Sequence, residues 1–257
     1  MRLQSKSPAT VRGRVIGGPL PLICLPLVAV DRDSLLQQAD ETMAHCPDLI
    51  EWRVDKFAGI EDPDSILPAL AALRRRIGEI PLIFTCRALN EGGLQDIAEE
   101  VRRRVNTVAI DSGHVDLIDT ELSNNPAMIN SVREAARQRD VKLILSYHYF
   151  TRTPAQRVIL ERLVEAQALG ADIGKVAVMP QNYADVLTLL GATLEARTGA
   201  CSIPLVTMAM GATGVLSRIA GGLFGSDITF AVGGVGSAPG QIPIDDLRKA
   251  WSVLPFA

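Results

Sequence analysis

Eight short apolar runs rich in β-branched residues recur along the chain, at 22–30, 48–54, 81–86, 115–119, 141–147, 173–179, 204–209 and 228–232. Between them lie segments such as 63–77, 94–106, 126–139, 154–169 and 183–197, which carry Ala, Leu, Glu and Arg at helical spacing. The first set has the length and composition of strands and the second the period of amphipathic helices. Pro63, Pro126 and Pro154 suit first helical positions, and Gly170 suits a helix end. Strand and helix alternating eight times predict a (β/α)8 barrel, with functional side chains at the C-terminal ends of its strands. Residues 11–18, ahead of the first strand, are expected to form a small hairpin plugging the barrel floor. No low-complexity linker divides the chain, so 1–257 reads as one domain.

Composition narrows the function. The net charge of −3 offers no basic footprint for nucleic acid. Arg74–Arg76 and Arg102–Arg104 cluster, but within amphipathic helical stretches, and read as solvated helix faces. Cys24, Cys46, Cys86 and Cys201 form no Cys-x-x-Cys pair. Cys24 and Cys86 sit in strand-like runs, as buried thiols of a reducing compartment would. None of His45, His114 and His148 has a second histidine at helical ligand spacing, which argues against a zinc site. Arg12 and Arg14 ahead of residues 19–30 imitate a signal peptide, but Pro19, Pro21 and Pro26 and the lack of a small-x-small site favour a first strand and a cytoplasmic protein. No apolar run approaches the roughly 18 residues a membrane span needs.

Lys175 stands out because it falls inside Asp172-Ile173-Gly174-Lys175-Val176-Ala177-Val178-Met179, an apolar strand. Lysine is rarely buried unless paired or chemically employed. An apolar wall disfavours the ammonium form and frees the amine to attack carbonyls, whereas the bland reading is a strand-end lysine reaching for water. Polar residues two apart, hence on one strand face, recur at strand ends: Glu51 and Arg53, Thr85 and Arg87, Asp119 and Glu121, Ser146 and His148. Strand ends are often polar simply because they meet solvent, but a barrel converges four such pairs on one mouth. Met208 and Met210 are an apolar pair at the same spacing. Arginine forks suit a carboxylate ligand, Glu51 can accept from hydroxyls, and His148 titrates in the range that proton transfer needs. Beyond the eighth strand, the glycine-rich stretch 233–241 fits either a phosphate cradle or a mobile lid.

The chain resembles the type I 3-dehydroquinate dehydratases over nearly its whole length. The resemblance rests on Glu51-Trp52-Arg53-Val54-Asp55, Thr85-Cys86-Arg87 with Glu91-Gly92-Gly93, Asp119-Thr120-Glu121-Leu122, Ser146-Tyr147-His148, Lys175-Val176-Ala177, Met210-Gly211 through Ser217-Arg218, and Ser237-Ala238-Pro239-Gly240-Gln241. It implies a (β/α)8 (TIM) barrel, commonly a homodimer, that dehydrates 3-dehydroquinate to 3-dehydroshikimate in the shikimate or quinate pathways without metal or organic cofactor. By the same resemblance Lys175 forms an imine and His148 is the general acid/base. Glu91 orients or polarises His148, and Asp119 is a further candidate for that role. Arg218, Ser237 and Gln241 hold the carboxylate region, while Glu51, Arg53 and Arg87 contact the hydroxylated ring.

Two positions depart from the family pattern. Tyr149 follows His148 where Asp or Asn is usual, and strand alternation turns it to the opposite face. Pro26 stands where the first strand often carries a serine, so no ligand contact is expected there. Two rivals remain on residues alone. A class I aldolase or transaldolase shares the lysine but has no need of three arginines. A silent ligand sensor needs neither Lys175 nor His148.

Overall fold

A computed structural model describes residues 2–234 and 236–256; Met1, Val235 and Ala257, all within the expected single domain, lie outside the described residues. The hairpin comes first, β1 (Ala9–Val11) against antiparallel β2 (Arg14–Ile16). Its two-residue turn has Arg12 and Gly13 at positive φ, 43° and 76°, the sign tight hairpins favour. The barrel follows as β3 (Leu22–Leu27), α1 (Arg32–Met43), β4 (Leu49–Arg53), α2 (Pro63–Ile77), β5 (Leu82–Thr85), α3 (Glu99–Asp111), β6 (Leu117–Glu121), α4 (Pro126–Gln138), β7 (Lys142–Tyr149), α5 (Gln156–Ala168), β8 (Ile173–Val178), α6 (Tyr183–Glu195), β9 (Leu205–Ala209), α7 (Val215–Phe224), β10 (Ile228–Phe230) and α8 (Ile244–Trp251). Eight parallel strands pair in the order β10-β3-β4-β5-β6-β7-β8-β9, the arrangement of a (β/α)8 barrel.

Side chains close the remaining seam between β9 and β10. Among the described residues one isolated bridge, Leu205 with Ser226 just ahead of β10, spans it, with the Asp227 amide donating to Leu205 O at 2.6 Å. Asp227 Oδ2 accepts the Leu205 amide at 2.7 Å and Ser226 Oγ accepts that of Thr207 at 3.0 Å, in place of backbone carbonyls. The buried Asp227 carboxylate is compensated by Arg2 and Arg197, both also buried.

Alternation along each strand divides the core into two shells. Leu49, Ile83, Leu117, Ile144, Ile173, Val206 and Ile228 point inward and form an apolar floor with Val11 and Ile16 of the hairpin. Their neighbours Ile50, Phe84, Ile118 and Leu145 point outward to the helices, with Trp52 edge-on to Phe57 and Phe84 at 5.4 and 5.5 Å. Burying a side chain of this size is worth roughly 1.5–3 kcal/mol, and the outer shell repeats the contribution around the ring. Two residues above Leu49, Ile83, Leu117, Ile144 and Ile173 the same inward face carries polar groups, Glu51, Thr85, Asp119, Ser146 and Lys175, whereas above Val206 and Ile228 it carries Met208 and Phe230.

Several boundaries differ from those predicted. The strand expected over 22–30 stops at Leu27, because Gln38 of α1 takes both backbone groups of Val28, at 2.8 and 3.0 Å. The helix expected over 94–106 begins at Glu99: residues 89–93 make a turn instead, and the Leu94 amide is donated to Asp55 Oδ2 at 3.0 Å. Pro154 precedes α5 by two residues rather than opening it. The strand expected over 115–119 runs to Glu121, since buried arginines offset the poor strand propensity of its carboxylates. Pro63 and Pro126 do open α2 and α4, and Gly170, at φ 84°, follows the end of α5. Cys24 and Cys86 are buried, with burial pushing both thiols well up. Among the described residues no helix is long and apolar enough to cross a membrane.

Candidate active site

The inward polar layer lines one cavity at the C-terminal end of the barrel. Glu51 and Arg53 come from β4, His148 from β7, Lys175 and Ala177 from β8, and Met208 and Phe230 from β9 and β10. Loop residues complete it: Arg87 and Glu91 after β5, Phe150 after β7, Met210 after β9, and Ser237, Ala238 and Gln241 after β10. Eight of the nine sequence-predicted site residues thus meet at one surface. The ninth, Arg218, lies just behind it.

Lys175 is 4% exposed, but its wall is not simply apolar as the strand sequence suggested. Its Nζ sits 4.5 Å from the Phe230 ring centroid, 2.8 Å from Asp119 Oδ2 and 3.8 Å from Glu51 Oε1. Asp119 is fully buried and held well below the usual carboxylate range: burial opposes ionisation, and the charges of Arg87 and Lys175 outweigh it. Ser146 Oγ donates to Asp119 Oδ1 at 2.6 Å, and Arg87 Nη2 lies 2.9 Å from the same oxygen. The amine is thereby fixed against one wall and aimed across the cavity.

His148 Nδ1 lies 3.0 Å from Glu91 Oε2, and the His148 amide donates to the same oxygen at 2.9 Å. A carboxylate there selects the Nδ1–H tautomer and leaves Nε2 as the lone pair available to a ligand. Burial, reinforced by Arg87 and Lys175, pushes the imidazole well below its ordinary value and keeps it neutral. Burial also pushes Glu91 up, to about 7, although Ser123 Oγ donates to its other oxygen. Gly92, at φ 86°, lets the chain turn away from Glu91; a Cβ there would collide with the Phe150 ring.

The arginines, alike in sequence, are unlike in place. Arg53 is committed to Asp55 through two bonds of 2.8 Å, and Arg87 Nη1 holds Glu121 and Ser146, each at 2.8 Å. Arg218 is 1% exposed and has no carboxylate partner among the described residues. Its Nη atoms rest on the carbonyls of Phe230 (3.1 Å) and Pro239 (3.2 Å), and its Nε has no partner among the described residues. Burial alone lowers its pKa to about 10. An uncompensated buried cation beside a cavity is primed for an anion.

The loop after β10 closes over this cation. Gly211 N donates to Pro239 O at 3.1 Å, Arg53 Nη1 to Ser237 O at 3.4 Å, and Gln241 Oε1 accepts the Ser237 amide at 2.8 Å. That last bond occupies one of the amides a phosphate cradle would use. Tyr149 faces outward, as alternation predicts, with its hydroxyl 3.5 Å from Arg162 Nε. Pro26 does not line the cavity. Sequence reasoning missed Asp55, Ser123 and Phe150, of which only Asp55 stood inside a noted motif, and the reading of Arg102 as part of a solvated helix face is corrected by its burial. Among the described residues no group of three His, Cys, Asp or Glu side chains is arranged to hold a metal.

Fold and mouth define a (β/α)8 barrel with a buried lysine and a carboxylate-bound histidine lining one cavity at the C-terminal ends of its strands. Residues 23–255 match the family model described as type I 3-dehydroquinase. The 3-dehydroquinate dehydratase of Geobacillus thermodenitrificans is 46% identical over 251 residues, 97% of each chain. The crystal structure of the 3-dehydroquinate dehydratase from Geobacillus kaustophilus superposes with a TM-score of 0.96 at 45% identity, covering 99% of this chain and 98% of that one. A type I 3-dehydroquinate dehydratase from Clostridium difficile, solved with covalent modified comenic acid, superposes with a TM-score of 0.92 at 39% identity over 96% of each chain. The chain belongs to the type I 3-dehydroquinase family, and it is a dehydratase, a carbon–oxygen lyase.

Proposed function

We propose that the enzyme converts 3-dehydroquinate to 3-dehydroshikimate and water through an imine on Lys175, with His148 as general acid/base. The observation that carries this reading is a buried lysine and a neutral, oriented histidine lining one cavity beside an arginine without a counter-charge. The Clostridium difficile relative solved with covalent modified comenic acid is in keeping with covalent chemistry in the family.

The amine of Lys175 adds to the ring ketone, and loss of the carbonyl oxygen as water leaves a cationic iminium. That cation acidifies the neighbouring C–H. His148 Nε2 takes the proton, and the electron pair moves into an enamine. The enamine then expels the hydroxyl one carbon further on, to which His148 returns its proton, so a second water leaves as the carbon–carbon double bond forms. Hydrolysis of the conjugated iminium consumes one water and frees Lys175, for a net loss of one water. Glu91 holds the histidine tautomer, and Asp119 fixes the lysine between steps. Arg218, Ser237 and Gln241 bind the carboxylate end, while Glu51, Arg53 and Arg87 face the ring hydroxyls. Closure of residues 233–241 protects the imine from early hydrolysis. The reading includes a homodimer in a reducing cytoplasm, in keeping with four free cysteines. Sedimentation equilibrium returning a monomer would remove the dimer from it.

Incubation with 3-dehydroquinate tests the reaction directly: the conjugated product absorbs in the ultraviolet and the substrate does not. Carbon–carbon cleavage products would favour an aldolase instead.

Arg218→Ala is expected to raise KM by on the order of 10–100-fold, because the buried fork has no other anion to serve, with Arg218→Lys recovering only part. An esterified substrate should bind wild type and Arg218→Ala about equally poorly. Unchanged KM for the free acid would move the carboxylate to Arg53 or Arg87.

pH supplies a further check. Below about 7 Glu91 takes up a proton and ceases to select the Nδ1–H tautomer, so kcat/KM should fall with acidification through that value. Glu91→Gln, which cannot titrate, should lower the plateau and flatten this limb. An unchanged limb in Glu91→Gln would assign it to another group.

A further inference from the structure

Arg102 lies on α3, inside an Arg-Arg-Arg run whose sequence reads as a solvated helix face, yet it is 6% exposed. Its side chain makes one hydrogen bond among the described residues, Nη1 to Glu121 Oε2 at 2.8 Å, and its Nε has no partner. Arg103 and Arg104, its neighbours in the run, serve the surface: Arg103 pairs with the exposed Glu100, and Arg104 is itself exposed.

Glu121 is fully buried and both its oxygens are used. Oε2 takes Arg102 and, at 3.0 Å, Asn124 Nδ2; Oε1 takes Arg87 Nη1 at 2.8 Å and the Ala88 amide at 3.1 Å. Arg87 is therefore shared between two buried carboxylates, with Nη1 on Glu121 and Nη2 on Asp119. Asp119 holds Lys175. The result is a continuous line of alternating charge, Arg102–Glu121–Arg87–Asp119–Lys175, running from helix to cavity.

One guanidinium cannot fully compensate two buried carboxylates, and each ion left short of its partner is costly. With Arg102 in place, Glu121 has its own cation and Arg87 can remain divided. Without it, Glu121 competes for Arg87, and Asp119 loses the grip that sets the lysine. We propose that Arg102 is a positioning residue for the dehydration, acting through Glu121 and Arg87 to fix Asp119 and thus the attacking amine of Lys175. The inference rests on Lys175 being the imine-forming group.

The test compares Arg102→Met, Arg102→Lys, Glu121→Gln and the double variant Arg102→Met/Glu121→Gln in the full-length enzyme. Steady-state kinetics, borohydride trapping with 3-dehydroquinate and thermal unfolding are measured on each. Arg102→Met should lower kcat by on the order of 10²-fold, the scale of a small misplacement at the reacting atoms, with KM nearly unchanged and trapping slowed in parallel. Arg102→Lys restores the charge and should recover most of the loss. Removing Glu121 as well leaves Arg87 to Asp119 alone, so the double variant should regain at least tenfold in kcat over Arg102→Met. It should also fold where Arg102→Met is too unstable to assay, because no buried charge is orphaned. A normal kcat in Arg102→Met with a lowered Tm would reduce Arg102 to helix packing. Losses that multiply in the double variant would overturn the route through Glu121. If wild type dehydrates the substrate but traps no imine on Lys175, the mechanism fails while the Arg102 effect on kcat is still read.

Discussion

Lys175→Ala is expected to lose turnover altogether while keeping the fold. No other amine among the described residues lines the cavity, so nothing can take over imine formation. Deleting a partner from a buried ion pair usually destabilises, because a charge is left alone. Here Asp119 keeps Arg87 at 2.9 Å and the Ser146 hydroxyl at 2.6 Å, so its carboxylate is not orphaned. Circular dichroism and Tm should stay close to wild type, which separates chemical loss from unfolding. Measurable dehydration by a well-folded Lys175→Ala enzyme would mean that the reaction does not pass through this amine.

The second large effect belongs to His148. His148→Ala should lower kcat by on the order of 10²–10⁴-fold, the usual worth of a positioned general acid/base. The lysine and its carboxylate are untouched by the change, so addition to the ketone remains partly competent and a covalent intermediate should accumulate. Intact-mass measurement of the variant with 3-dehydroquinate reads that species directly. Near-normal turnover would show that another group moves the proton, Glu91 being the nearest candidate.

Barrel, strand order and mouth were legible because each rests on a period. Residues two apart on a strand share a face, so Glu51 with Arg53 and Ser146 with His148 could be paired before any coordinates. The apolar β-branched runs likewise marked the strands that carry Leu49, Ile83 and Ile173. What periodicity does not encode is which charge meets which. Arg53, Arg87 and Arg218 look equivalent in sequence, and only the placement of Asp55, Asp119 and Glu121 leaves Arg218 as the one without a counter-charge. Arg102 was misread for the same reason: an arginine on an amphipathic helix reads as solvated unless its partner is known to lie beneath it. Asp119 escaped a firm role because the strand sequence implied an apolar setting for Lys175, whereas β6, its neighbour but one in the barrel, brings a carboxylate to 2.8 Å. The start of α3 was missed because a side chain 39 residues away, Asp55, takes the Leu94 amide.

The central claim is that one lysine carries the covalent step. Borohydride added during turnover of 3-dehydroquinate should reduce the iminium to a stable secondary amine and inactivate the enzyme irreversibly. Peptide mapping by mass spectrometry should then find the ligand on Lys175 at one equivalent per chain, with no adduct in Lys175→Ala. An adduct on Lys56 or Lys142, or continued turnover in borohydride with no adduct, would contradict the account.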